Sequence, residues 1–471
     1  MSQRGVSRAR RVGLVALTGT VAACIGVMIG LGLTAAAAVL AVAASVPLML
    51  QARAGSPLYL LGAALPIYAV GPVGPTPFRA GRVLLLGCVF ASDMMSRRLG
   101  GYRLPNWKWW FYSACLGLAA IAHASVGGAY VGLSLVLVAL IGSRIGSDPE
   151  FRARLFIGYR VGAFCSALVV LASTAGVSGL SHATQAEGWG GLSYRSTAFS
   201  YTAALAIVFW YTTRSSRRGR SPRPVLWAAE GLVLGAALAA SGGRGGLVAV
   251  LAALVVLPMV AGHLAVTLRL VAAGCLALVA VSALGLPLLG LNRLIPTAHD
   301  YRISVADQYG SGRLDLYKSN LRRARENLVI GSGFEAAGLR GAGVTGQAVD
   351  AGNLPNVGGQ TAPHILLLAL VVAGGIGLGA AGLIVLADAG LRAYRVAVRK
   401  AHALSWASTG VVVFLVNGLL EIGGGLIGLE SALVFSCMVA ALSPRPVRTP
   451  ATDLPRLPPN GDLRAAAASV T

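Results

Sequence analysis

Residues 365–387 read ILLLALVVAGGIGLGAAGLIVLA, a run of 23 positions without a charged side chain. A helix needs about 20 apolar residues to cross roughly 30 Å of hydrocarbon. Similar runs recur along almost the whole chain, and of its 471 residues 56% are hydrophobic and only 12% are charged. An average soluble domain carries about 25% charged residues. The pattern therefore predicts an all-α, polytopic integral membrane protein, because lipid offers unpaired backbone amides no partner.

The apolar runs predict about 12–14 transmembrane helices within a single polytopic domain, residues 1–443. The short 81–96 segment and the tight 13–51 and 405–443 pairs are the least clearly defined of these segments. A Pro-rich tail, residues 444–471, is predicted to be disordered. The predicted spans are 13–32, 34–51, 57–73, 81–96, 108–124, 126–143, 156–179, 198–213, 225–241, 245–261, 268–290, 364–387, 405–422 and 425–443.

The positions of the basic residues predict which side of the membrane each connection faces. Cytoplasmic connections hold an excess of Lys and Arg. With a cytoplasmic N-terminus, 27 of the 39 basic residues lie in connections assigned inside, and eight of the other 12 lie in one long outer loop. The net charge of +23 is thus spread over short breaks between apolar segments. This distribution indicates a topology signal and no nucleic-acid partner.

The long loop, residues 291–363, is the one sizeable segment predicted outside the membrane, on the extracytoplasmic side. Long loops usually exist for function. Arginines 322, 323 and 325 lie away from one apolar face of the segment after Ser311, and this predicts an amphipathic helix on the membrane surface. The residues of that face are Leu314, Tyr317, Leu321, Ala324 and Leu328.

Four cationic or titratable residues fall on the same predicted outer face, against the charge bias: Arg195, Arg244, Arg313 and His364. Arg244 lies in the connection Ser241-Gly242-Gly243-Arg244-Gly245-Gly246. It is either a plain turn residue or part of an anion site, where glycines let the backbone approach a phosphate and the guanidinium pairs with its oxygens. The N-terminus of the following helix also favours negative charge.

His364 precedes the apolar run quoted above. It is either an interfacial histidine bonded to a loop or a base that removes a proton from an acceptor hydroxyl. The outer face has no Asp-x-Asp pair to hold an ion, so neither a metal nor another cofactor is expected.

Acidic residues within the spans raise a different possibility, an ion-coupled transporter or flippase of the envelope. The alternative for these carboxylates is pairing with nearby cations or snorkelling to the surface. The residues are Asp93, Glu230, Glu421 and Glu430. A non-catalytic scaffold of an envelope complex is a third possibility, and it would leave the outer arginines free to change.

A set of short motifs follows in a fixed order over about 195–377. They are Arg195, the Gly-Gly-Arg-Gly turn at 242–245, Gly312-Arg313 before the amphipathic segment, Gly331-Ser332-Gly333-Phe334, and His364 before Gly374-Gly375-Ile376-Gly377. Taken together, this order resembles the O-antigen ligase and polymerase superfamily of bacterial envelope glycosyltransferases. The chain differs from that pattern at three places: glycine separates Ser241 from Arg244, Ile365 replaces the usual Asn after the histidine, and Tyr317 stands where an aromatic residue, often Trp, is usual.

The resemblance implies an enzyme of the bacterial cytoplasmic (inner) membrane that needs no metal. It would move a glycan from an undecaprenyl-diphosphate donor to a hydroxyl of a glycan, lipid or protein acceptor on the outer side. In that role Arg195, Arg244 and Arg313, with Tyr317, would bind the diphosphate leaving group, and His364 would orient or deprotonate the acceptor. Whether the enzyme is a polysaccharide polymerase or an O-antigen-ligase-like transferase stays open.

Overall fold

The computed structural model of the chain shows a helical bundle. The described residues are 87% helical and contain no strand. Two helices, Pro149–Thr174 and Leu366–Arg399, are long and apolar enough to cross a membrane. The described residues are 56–67, 81–82, 85–90, 106–124, 126–177, 191–193, 196–215, 224–283, 314–334, 336–337, 365–399, 405–420, 426 and 429–443.

Most of the described residues in the predicted apolar segments are helical. Predicted spans 13–32 and 34–51, and the tail 444–471, lie outside the described residues. The helices are α1 (Ser56–Ala64), α2 (Trp107–Ala122), α3 (Val126–Ser147), α4 (Pro149–Thr174), α5 (Ser196–Ser215), α6 (Pro224–Ala240), α7 (Arg244–Leu251), α8 (Leu257–Val260), α9 (Leu264–Ala283), α10 (Leu314–Glu326), α11 (Leu366–Arg399), α12 (Trp406–Leu420) and α13 (Leu429–Leu442).

The connection between α3 and α4 is much shorter than predicted. Residues 144–155 were expected as a break, but only Asp148 separates the two helices. Its side chain accepts hydrogen bonds from the backbone N–H groups of Glu150 (2.9 Å) and Phe151 (3.3 Å), and Pro149 follows at the first helical position. This cap starts α4 seven residues before the predicted boundary, since an Asp cap and a Pro at the first position both favour a helix start.

The core of the bundle is assembled from close helix pairs. The most extensive contacts join α3 to α13 and α1 to α4. In the second pair Gly62, Gly158 and Gly162 are at the crossing, where a Cβ on any of them would clash with the backbone of the partner helix. Small residues of this kind let two helices approach closely without a polar seam. Beside this pair, the ring of Phe156 lies 4.4 Å from Phe209 and 4.6 Å from Trp406.

Helix α11 is the main departure from the predicted secondary structure. Gly374 and Gly375 have non-helical backbone angles, and Cβ atoms on Gly379 and Gly382 would clash with the side chains of Val371 and Leu370. Residues eight and twelve positions apart in a straight helix are separated by about 12 and 18 Å. The single span predicted over 364–387 is therefore two antiparallel arms, 366–373 and 376–399, that reverse direction at the two glycines.

Contacts between helices sort their ends into two groups. The Asp388 end is defined by contacts of Lys108 and Arg392 with Asp388, and of His263 with Ala397. The Arg244 end is defined by contacts of His123 with Ile330, of Ser193 with Pro66, and of Gly246, two residues after Arg244, with Ser200. Consecutive long helices run between these two ends in alternating directions.

Candidate functional site

The glycine-rich turn before α7 brings Arg244 to one end of the bundle. Ser241 is fully buried; its hydroxyl donates to the carbonyl of Leu238 (2.9 Å) and accepts from the N–H of Gly243 (3.3 Å). Gly242 has a φ of +78°, a conformation that favours glycine. Arg244 is then the first residue of α7, half-buried.

The neighbours of this turn explain part of its glycine content without a ligand. A Cβ on Gly246 would clash with the backbone carbonyl of Ser200, so this glycine is required where α7 crosses α5. Gly242 is required by its positive φ. The close packing and the turn thus account for two of the glycines that the sequence analysis associated with phosphate approach.

The start of α7 carries positive charge. Helix N-termini carry a partial positive charge and favour acidic residues in the first turn. The first turn of α7 contains no acidic residue and begins with a guanidinium. The partial positive charge of the helix N-terminus and the charge of the Arg244 guanidinium therefore lie at the same point. A bound anion would stabilise this arrangement.

The segment after α10 docks onto the reversal of α11 through its backbone. The N–H of Ser332 donates to the carbonyl of Val372 (2.6 Å), and the N–H of Ile376 donates to the carbonyl of Leu328 (2.7 Å). These are backbone groups at the point where α11 is interrupted, and buried backbone groups without partners are costly. Residues 327–333, which we call the strap, thus complete the hydrogen bonding of the α11 reversal.

Glycines make the approach of the strap possible. Gly331 has a φ of +82°, and a Cβ on it would lie 2.6 Å from the nitrogen of Gly375. Gly375 has a φ of +74°, and a Cβ on it would clash with the carbonyl of Val329. The two glycine clusters singled out in the sequence, 331–333 and 374–377, therefore meet in space.

His123, which the sequence analysis did not single out, holds the strap from the other side. It follows the last residue of α2, and its Nε2 lies 3.0 Å from the carbonyl oxygen of Ile330. Because a carbonyl accepts, Nε2 is the protonated nitrogen. A Cβ on Gly333 would lie 3.4 Å from Nδ1. The sequence feature that could have identified His123 is its position at the end of an apolar run, on the predicted outer face.

The amphipathic helix predicted in the long loop is present as α10, and only part of its predicted apolar face packs against the bundle. Asn320 and Ala324 are buried and Tyr317 is half-buried, whereas Leu321 and Leu328 are 48% and 45% exposed. The helix packs against α11. The physical reason is that the buried stripe holds small and polar residues which fit closely against the bundle, and part of the predicted apolar face is left outward.

Only two of the five predicted site residues can be located. Arg244 and Tyr317 lie on described helices, and the structure does not bring them into one packed cluster: α7 packs on α5 and α12, while α10 packs on α11. Arg195, Arg313 and His364 lie outside the described residues. The roles predicted for those three side chains stay predictions.

Of the four acidic residues that suggested a transporter, the structure describes the side chain of Glu230. The guanidinium of Arg160 bonds both carboxylate oxygens of Glu230, at 2.9 Å from Nε and 2.5 Å from Nη2. Both side chains are about a fifth exposed, so this carboxylate is held by structural pairing. Asp93 and Glu421, and the side chain of Glu430, lie outside the described part of the chain.

The sequence matches no protein-family model, and no curated protein matches it significantly. Among the described residues, no group of three or more His, Cys, Asp or Glu side chains is placed to hold a metal ion.

Proposed function

We propose that this chain is a polytopic protein of the bacterial cytoplasmic membrane and that it transfers glycans on the outer side. The donor would be an undecaprenyl-diphosphate-linked glycan and the acceptor a hydroxyl of a glycan, lipid or protein, as in a polysaccharide polymerase or an O-antigen-ligase-like enzyme. The chemistry would require no metal, since cationic side chains would stabilise the leaving group.

The arrangement of the helix ends supports the membrane topology. Connections predicted to be cytoplasmic, those around Lys108, Arg269 and Arg392, all belong to the Asp388 end, since Arg269 follows His263 on α9. The turn before Arg244 and the strap, both predicted outside, belong to the Arg244 end. If the predicted side of these connections were wrong, cytoplasmic and outer connections would lie together at the same end of the bundle.

The single observation that carries the catalytic proposal is the position of Arg244. A guanidinium at the first residue of an acid-free helix start concentrates positive charge at the predicted outer face. A diphosphate that leaves during glycosyl transfer develops negative charge, and preorganised cations lower the energy of that transition state. Arg195 and Arg313 would add charge around the same headgroup, and Tyr317 would contact it.

His364 would act on the acceptor. As a neutral imidazole it would take the proton of the incoming hydroxyl as the new glycosidic bond forms and the bond to the diphosphate breaks. In this scheme the arginines assist departure of the diphosphate, so no strong general acid is needed.

Substitution of Arg244 tests the proposal directly. We expect Arg244→Ala to lower polymer or ligated glycan about 100-fold, the usual cost of losing one charge-stabilising donor, while the lipid-linked donor accumulates in the membrane. His364→Ala should give the same pair of effects. Arg244→Lys should recover only part of the activity, since an ammonium lacks the planar fork of a guanidinium.

Arg269→Ala is the matched control, because Arg269 is exposed on α9 near the Asp388 end. It removes the same charge from the opposite side of the bundle and should leave glycan output unchanged. Full glycan output in both Arg244→Ala and His364→Ala, at normal protein levels, would refute the enzyme proposal.

A further inference from the structure

Three consecutive large apolar side chains at the tip of the strap face away from the protein. Leu328, Val329 and Ile330 are 45%, 79% and 56% exposed. Their backbone is nevertheless fixed: the carbonyl of Leu328 accepts from Ile376 N–H, and the carbonyl of Ile330 accepts from His123. Because the main chain is held inward, this apolar tip cannot turn its side chains into the core.

Positive charge flanks the apolar tip. Lys318, Leu321 and Arg325 are exposed at i, i+3 and i+7 on α10, so they form one outward stripe. Arg322 is also exposed, with Glu326 at 4.0 Å across the helix surface. Cations beside exposed apolar residues are the pattern of a segment that lies at the surface of an anionic bilayer.

The residues exposed along helix α2 indicate where the tip lies relative to a bilayer. Near the Asp388 end it exposes Trp107 and Trp110, the residue type that concentrates at membrane interfaces. His123, which contacts the strap, lies 16 residues beyond Trp107, or about 24 Å at 1.5 Å per residue. Between them, Leu118 and Ile121 are 66% and 77% exposed. The tip thus lies close to where the opposite interface of a ~30 Å hydrocarbon layer is expected.

We propose that the 328–330 tip is a rigid membrane anchor which inserts into the outer leaflet, while Lys318, Arg322 and Arg325 bind lipid phosphates. This proposal rests on the membrane placement put forward above, and it is independent of glycosyl transfer. A bilayer fits better than a protein partner because the tip lies at the level where α2 already exposes apolar side chains. The anchor would hold α10 and the α11 reversal at a fixed depth.

Photocrosslinking in proteoliposomes tests the anchor on the full chain. The probe p-benzoylphenylalanine is placed singly at Val329, at Leu276 on the exposed face of α9, and at Glu150 in the turn at the Asp388 end. The vesicles contain phosphatidylethanolamine and phosphatidylglycerol, and mass spectrometry identifies the crosslinked product. We expect lipid adducts at 329 and 276 and none at 150. Ile330 provides a second probe position in the tip.

The outcomes separate the two proposals. Lipid adducts at 276 but none at either tip position would overturn the anchor and leave the membrane placement standing. A protein adduct at the tip in place of lipid would identify a partner surface and also overturn the anchor. No lipid adduct at any position would refute the membrane placement.

The charges are tested with Arg322→Glu and Arg325→Glu combined. We expect the lipid adduct at 329 to fall several-fold in vesicles rich in phosphatidylglycerol, while the adduct at 276 stays the same. An unchanged adduct at 329 would overturn the role given to the cations.

Discussion

The two ends of the bundle are held together by different chemistry. At the Asp388 end, side chains make the contacts, and Asp388 bonds both Lys108 and Arg392. At the Arg244 end, backbone groups make many of them, through the strap and the α11 reversal. An ion pair forms between flexible side chains, whereas a backbone contact at a glycine leaves no room for a Cβ.

The difference determines how each end responds to sequence change. Ion pairs accept other pairs of opposite charge at similar positions, so the Asp388 end tolerates many substitutions in combination. The strap and the reversal depend on positive φ values and on close backbone approach, which only glycine supplies at Gly331 and Gly375. The Arg244 end is therefore the more strictly determined of the two.

The largest effect is expected from Gly375→Ala. The added methyl group meets the carbonyl of Val329 and forces an unfavourable φ, and together these should destabilise the protein by about 3 kcal/mol or more. Thermal unfolding of the purified protein in detergent measures it. Gly377→Ala is the control, since nothing lies within 4 Å of the position of its added Cβ. Equal melting temperatures for the two variants would contradict this account of the reversal.

A smaller loss is expected from Glu230→Gln. The substitution leaves the Arg160 guanidinium without its charged partner in a site that is 18–22% exposed, for which about 1–3 kcal/mol is reasonable. Glu150→Gln is matched in chemistry but breaks an exposed pair with Arg154, which should cost no more than about 0.5 kcal/mol. A transporter that uses Glu230 for coupling would instead lose transport with stability unchanged.

The smallest effect is expected from His123→Ala, which removes one hydrogen bond to the strap, worth about 1 kcal/mol. Hydrogen exchange of residues 327–333 should become faster, because the strap opens more often. His263→Ala removes the equivalent bond to Ala397 at the Asp388 end and should leave exchange of the strap unchanged. Slow exchange in both variants would show that backbone bonds alone hold the strap.

Sequence periodicity was sufficient to predict the helical segments and much less informative about their direction. The apolar run at 365–387 correctly indicated a helix, but composition does not reveal that Gly374 and Gly375 reverse it. Glycine is common in membrane helices, so two adjacent glycines carry no specific signal. The reversal depends on the strap, which lies more than 40 positions earlier in the chain.

The candidate site was predictable in its residue types and not in its geometry. The charge bias identified Arg244, and the structure places it at a helix start as expected. His123 was missed because a lone histidine at the end of an apolar run is ordinary in sequence; its contact with Ile330 joins positions 207 residues apart. Apolar periodicity placed Leu321 and Ala324 on one face of α10, but it did not indicate that packing buries Ala324 together with Asn320 and leaves Leu321 exposed.

The strap also implies an order of events during biosynthesis. Residues 327–333 leave the ribosome before residues 366–376, so the acceptor at Leu328 and the donor at Ser332 exist before the groups they bond. In the proposed topology, the reversal could bond Leu328 and Ser332 only after this earlier segment had been exported to the membrane surface. Translocation of the preceding loop would then set the time at which the last quarter of the chain can reach its native arrangement.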